Sequence, residues 1–191
     1  MTTPLKCALQ ILAEPPSLQR PAPAGVLQRQ VWKGGVTNRE TRRVESTPPR
    51  YLFLADLSCG ALEAGAQTHS PPLHDWLLEQ IEPSGEQATN AAGGVILVSM
   101  DVDPAQEDEF NEWYNTEHFP IFRRVPGVIQ ARRFRALRGA PRYVALYHVE
   151  SLDVYRRPDW MAANETPWIL RLRRYQRNRT YFMFSEATQA D

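Results

Sequence analysis

The chain has 191 residues, enough for one large domain or two small ones sharing a core, with no need of disulfides or metal for stability. Its 22 basic and 22 acidic side chains cancel, which excludes a bulk field favouring nucleic acid or an anionic membrane. Hydrophobic residues at 42% and charged residues at 23% place it among ordinary globular proteins.

The start, "MTTPLKCALQILAEPP", holds an apolar run shorter than a secretory core or a membrane span. Cys7 and Cys59 fit no metal-binding spacing, so a cytoplasmic, reducing setting is expected. "CALQILAE" reads as a strand. The "PPSLQRPAPA" that follows is too short and too rich in proline for a helix. "PAGVLQRQVWKG" and "PPRYLFLADL" read as two further strands.

The second half is clearer. "GGVILVSMDV" is a buried strand opened by glycines. Asp103 and Pro104 form a helix start, and Glu107, Asp108 and Glu109 complement the helix dipole. Pro120 predicts that this helix ends near His118. "VPGVIQARRFRAL" and "APRYVALYHVES" are strands joined by the "RGAP" loop. Pro158 to Arg174 is a second helix and "TYFMFSE" a fourth strand. The order is β-α-β-β-α-β, the ferredoxin-like plan.

The first half repeats this plan in eroded form. Pro48 to Ile81 lies over Ala140 to Leu172 at a constant offset, setting Tyr51 on Tyr143, Leu62 on Val154 and Trp76 on Trp168. The match carries the second helix into the first half, while the first helix is missing and no fourth strand stands out before Gly93. The expected fold is α+β, two ferredoxin-like (βαββαβ) repeats packed sheet to sheet as an α+β barrel, with the first repeat lacking its first helix. Residues 1–90 form the degenerate repeat and residues 91–191 the complete one.

On the surviving helix, Phe110, Trp113, Tyr114, Glu117, His118 and Ile121 fall on one inward stripe. A His and a Glu on an apolar stripe need partners if buried. A cavity would supply them, with His118 as general acid or base and the Tyr114 hydroxyl facing an oxyanion. The structural alternative is equally physical: a histidine in a last helical turn is favoured by the dipole, and rings at this spacing fill cores.

Strand alternation sends Arg133 and Arg135 to one face and Arg132 and Phe134 to the other. Arg133 is the candidate partner of a ligand anion. His148 shares a face with Val144 and Leu146 and reads as a core residue. The signature of RNA-binding sheets is absent, as are nucleotide and metal motifs. His118 or His148 would be the choice for a haem ligand, but no cofactor or metal is expected.

"DEFNEWYNTEHFP", "VPGVIQARRFRA" and "PRYVALYHVES" together resemble the dimeric α+β barrel superfamily, in particular its EthD-like members. The likeness spans Val95 to Glu186 well and the first half weakly. It implies a small-molecule cavity between sheet and helices, and a superfamily of monooxygenases, lactone isomerases, polyketide cyclases, haem enzymes and proteins without known activity. The eroded first copy implies one cavity per chain.

The expected function is a cofactor-independent lyase, isomerase or cyclase moving a proton next to a carbonyl. His118 and Tyr114 are catalytic in this reading, and Trp113, Phe110, Glu117 and Arg133 bind substrate. A non-catalytic binding or accessory protein is the alternative, and a cofactor-free monooxygenase the third. The expected partner is a small molecule, with a homodimer through the outer sheet edges left open, and neither nucleic acid nor membrane.

Overall fold

The computed structural model describes residues 5–18, 22–37, 44–58, 61, 65–82 and 86–188. Eight strands are present: β1 (Lys6–Leu12), β2 (Val26–Thr37), β3 (Val44–Leu57), β4 (His74–Glu82), β5 (Gly94–Val102), β6 (Val128–Arg138), β7 (Tyr143–Val149) and β8 (Gln176–Thr188). They close into an antiparallel barrel in the order β1-β3-β2-β8-β5-β7-β6-β4. Each half contributes its strands in the same sequence, fourth-first-third-second, which is the ferredoxin-like order. The halves meet at two seams, β2 with β8 and β4 with β6.

Period-two alternation divides the side chains of these strands into two layers. Inside the barrel lie Cys7, Leu9, Trp32, Leu52, Trp76, Val95, Phe134, Leu146 and Phe184, drawn from all eight strands. Arg132 shares that interior and donates to Asp56 at 2.5 Å and to Gln80 at 3.3 Å. His148 lies there too, 3.4 Å from Gln30 Oε1, and burial followed by the Arg132 charge lowers its pKa to about 3. On the outer face of the second half, Tyr143, Ala145, Tyr147 and Val149 pack against the helices. The alternation read from the arginine-rich strand therefore holds.

Three sequence expectations are corrected. Residues 74–82 are strand β4 and not part of a helix, so Trp76 sits in a strand while Trp168 sits in a helix. No helix occurs among the described residues of the first half. There, connecting segments contribute Leu18, Ala61 and Ala66 to cover the outer face of β1 and β3. Leu62 and Cys59 lie outside the described residues.

The Pro158 to Arg174 helix is two helices, α3 (Pro158–Ala163) and α4 (Pro167–Leu172). Pro167 has no N–H to continue α3, and Thr166 caps the new start through its side-chain oxygen.

The third correction concerns the helix of interest. It does not end at His118 but runs as α1 (Glu107–Trp113), a π turn (Tyr114–His118) and α2 (Phe119–Phe122). The Phe119 N–H reaches back five residues to the Tyr114 carbonyl. This wider turn accommodates Pro120, which would clash with a carbonyl in a regular α-helix. It also advances the inward face by one residue, so Phe122 is buried while Ile121 is only partly covered.

Candidate functional site

Between the outer face of the second-half sheet and the helices lies a cavity of about 150 Å³. Tyr114, His118 and Phe122 come from the π-turn helix, Tyr147 from β7, Trp160 from α3, and Arg179 and Tyr181 from β8. His118 and Tyr147 are buried, whereas Glu165 and Arg173 are exposed, so the latter pair marks the mouth.

The π turn sets the polar floor. It turns His118 inward, where its Nε2 lies 3.0 Å from the Tyr147 hydroxyl. Its Nδ1 is buried with no hydrogen-bond partner among the described residues. The Tyr114 ring packs edge-on against the same imidazole, 4.8 Å between ring centres, which brings the three groups into one cluster. Burial, reinforced by the Arg133 and Arg179 charges, holds His118 well below its ordinary 6.5, so the imidazole is neutral at physiological pH. Burial raises both phenols, and the same arginines partly oppose this.

Of the six residues singled out in the sequence, the structure brings His118, Tyr114 and Trp113 to the cavity wall. The other three stand behind it. Phe110 is fully buried against Tyr114 and Tyr143. Glu117 accepts from Trp113 Nε1 at 3.0 Å and from the Thr166 hydroxyl at 2.6 Å, so it ties the π turn to the start of α4.

Arg133 is 1% exposed and sits over the rings of Tyr114 at 4.0 Å, Tyr143 at 4.9 Å and Phe110 at 5.1 Å. Its guanidinium donates to Asn111 Oδ1 at 2.6 Å. No described carboxylate pairs with it, which leaves a buried cation held by a neutral amide and an aromatic cage. Burial lowers its pKa, and the surrounding phenols and Glu82 oppose that.

Sequence reasoning missed Tyr147, Trp160, Arg179 and Tyr181. The fold assembles them from separate elements, and only Tyr147 carried a signal, its place with Tyr143 and Val149 on one face of β7. Chemically, the arrangement offers a neutral imidazole with one unsatisfied nitrogen, two phenols and aromatic walls. Positive charge stands behind these groups, suited to a proton acceptor and a developing oxyanion.

No family model and no curated protein matches the sequence. Solved structures match along nearly the whole chain. An anthrone oxidase-like protein aligns with a TM-score of 0.58 at 11% identity, covering 98% of this chain and 95% of its own. A candidate monooxygenase from Fusobacterium nucleatum aligns at 0.54 and 8% identity, covering 99% and 96%. A major regulator of staphylococcal pathogenesis aligns at 0.52 and 10% identity, covering 94% and 98%. At such identities the likeness is one of fold, and fold does not choose a reaction. The chain is an α+β protein built on a closed eight-stranded antiparallel barrel of ferredoxin-like strand order.

Proposed function

We propose that this cavity binds a small aromatic carbonyl compound and removes a proton from the carbon next to the carbonyl, with His118 as the base. The observation that carries the reading is the buried, neutral His118, bonded to Tyr147 through one nitrogen and unsatisfied at the other. Tyr114 and Tyr147 face the oxygen where charge accumulates, and Arg133 lends its field from behind Tyr114. Trp113, Phe122 and Trp160 hold the ring of the ligand.

The resulting enolate has more than one fate. Return of the proton elsewhere makes the protein an isomerase, loss of a leaving group makes it a lyase, and intramolecular carbon–carbon bond formation makes it a cyclase. Reaction with dioxygen makes it a monooxygenase, a second reading supported by what two structural neighbours are described as. A binding or accessory role predicts occupancy without proton transfer.

The test is hydrogen–deuterium exchange at the acidic carbon of aromatic ketones in D2O, followed by NMR for wild type and His118→Gln. Exchange in the wild type that the variant loses supports the reading. Equal exchange by both proteins, on a ketone that both bind, sinks it.

We also infer that the chain is a duplicated EthD-like unit, residues 1–90 and 91–191, working in the cytoplasm on a small molecule. The shared strand order of the halves supports this, as do Gly25 and Gly127, which precede β2 and β6 with φ of 85° and 84°. Among the described residues only the second half carries helices, which accounts for a single site. A homodimer would use outer surface, since the barrel leaves no sheet edge to pair through.

A further inference from the structure

We propose that Asn111 is a positioning residue of this site: its neutral amide fixes the Arg133 guanidinium on the face of Tyr114 without cancelling the charge, so that a full positive field acts on Tyr114 and His118. The inference rests on the proton-transfer reading above and names what sets the electrostatics of that site.

The amide is held at both ends. Its Oδ1 accepts from Arg133 Nη2 at 2.6 Å, and its Nδ2 donates to the Tyr143 hydroxyl oxygen at 3.3 Å. That hydroxyl gives its proton to Glu107 at 2.5 Å, and Glu107 also pairs with Arg142 at 2.9 Å. A phenol has one proton to donate, so toward Asn111 the Tyr143 oxygen can only accept. The amide therefore cannot flip. Reversed, its NH2 would meet the guanidinium and its carbonyl would meet an oxygen with no proton left. An aspartate would suit Arg133 but would set a second acceptor against Tyr143. The surroundings select an amide.

The choice has an electrostatic effect. A carboxylate in this place would form an ion pair with Arg133 and cancel its charge, whereas an amide oxygen satisfies the N–H and leaves the charge intact. Glu107 is kept away from the guanidinium, with Tyr143 and Asn111 standing between them. Glu82, opposite Arg133 on the paired strand β4, is engaged by Arg123 at 2.8 Å. The guanidinium lies 4.0 Å from the centre of the Tyr114 ring, and that ring stands edge-on to His118. A cation on the ring face draws electron density from the phenol, which makes its hydroxyl a better donor to a developing oxyanion. The same charge opposes protonation of His118 and holds the imidazole in its basic form.

The charged and titratable groups that act on His118 come from four elements: Tyr114 from the π turn, Tyr147 from β7, Arg133 from β6 and Arg179 from β8. Glu165 and Arg173 stand at the rim. The test alters the Arg133 field alone. Asn111→Asp sets a carboxylate against the guanidinium with almost no change in size. The titration midpoint of His118, followed by NMR on protein with isotope-labelled histidine and assigned by its loss in His118→Gln, should rise by about one pH unit. Arg133→Met removes the cation and should raise the midpoint in the same direction. It decides the matter if Asn111→Asp does not fold. A packing role gives no reason for two such different changes to move the midpoint the same way. An unmoved or lowered midpoint in either folded variant overturns the proposal.

The two readings fail separately. If His118→Gln abolishes exchange while the midpoint stays put in Asn111→Asp, the base stands and the role of Asn111 falls. If the midpoint rises but exchange survives in His118→Gln, the base is wrong and the role of Asn111 stands.

Discussion

His118 Nε2 and the Tyr147 hydroxyl stand 3.0 Å apart, while Nδ1 of the same ring is buried without a hydrogen-bond partner among the described residues. Either tautomer leaves Nδ1 unsatisfied by the described residues, a cost borne in the half whose described residues carry the helices.

Substitution of this pair should separate base from support. His118→Gln keeps bulk and polarity but removes the base, so deuterium exchange on a bound aromatic ketone should fall by roughly 10²–10⁴. Tyr147→Phe keeps the base and removes its one partner, and should lower exchange by a smaller factor, about tenfold. Both variants should retain ligand affinity within a few-fold, checked by calorimetry beside the NMR assay.

Stability should fall on acidification before the carboxylates titrate. His118 and His148 are both held below their ordinary 6.5 by burial first. Below that value the unfolded chain binds protons that the folded chain does not. The stabilisation is therefore full above about pH 6.5 and declines as pH drops, continuing for His148 to about 3. Each histidine adds a slope of roughly 1.4 kcal/mol per pH unit. Urea titrations between pH 7.5 and 5 should show the decline, and His148→Gln should reduce it to roughly half, leaving the share of His118. A constant midpoint over that range would contradict the burial argument.

The interior ion pair should tolerate joint but not single removal. Arg132 and Asp56 are fully buried 2.5 Å apart, and Asp56 also accepts the Ala88 N–H at 2.6 Å. Asp56→Ala strands the guanidinium in the barrel and should cost about 3–5 kcal/mol. Asp56→Leu with Arg132→Met removes both charges and should recover most of that loss in the same denaturant assay.

Glu117 should prove structural. Glu117→Ala removes the acceptor of Trp113 and Thr166 and should lower stability by about 1–2 kcal/mol. Affinity for a bound aromatic ketone should not change, because Glu117 is held by Trp113 and Thr166 and does not line the cavity. A tenfold loss of affinity with unaltered melting would return Glu117 to the binding residues.

Gly34 should be intolerant at the seam. A Cβ there would run into the Met183 carbonyl and lie 2.6 Å from Phe184 Cα, both backbone atoms of β8. Gly34→Ala must push β2 from β8 and should cost about 3 kcal/mol, near the upper end of overpacking. Thermal unfolding is the measurement, and a shift of less than a degree would mean that the seam gives way easily.

Much of this was legible in the sequence, for physical reasons that can be named. The alternation of "ARRFR" and "YVALYHV" assigned each arginine and tyrosine to its layer, because one face of each strand meets the helices and the other the barrel interior. Asp103 marked the helix start and accepts the Ala105 N–H as a cap should.

Strand β4 was misread because its Trp76, Leu77 and Leu78 are all buried, the odd one outward under connecting segments, which erases the period of two. Pro120 pointed to a helix end, but a π turn absorbed it, a local solution that the residue pattern does not announce. Tyr147, Trp160 and Arg179 converge on His118 through tertiary packing alone.

The ring of strands closes within one chain, and that has a consequence beyond stability. Both seams are intramolecular, so the barrel cannot dissociate on dilution, and any substitution in it occurs once rather than in two mirrored places. A symmetric pair of chains must accept every change at both sites together. Here the half bearing β1 to β4 is free to serve as scaffold, and the half bearing β5 to β8 can be tuned around its cavity without a twin that must tolerate the same residue.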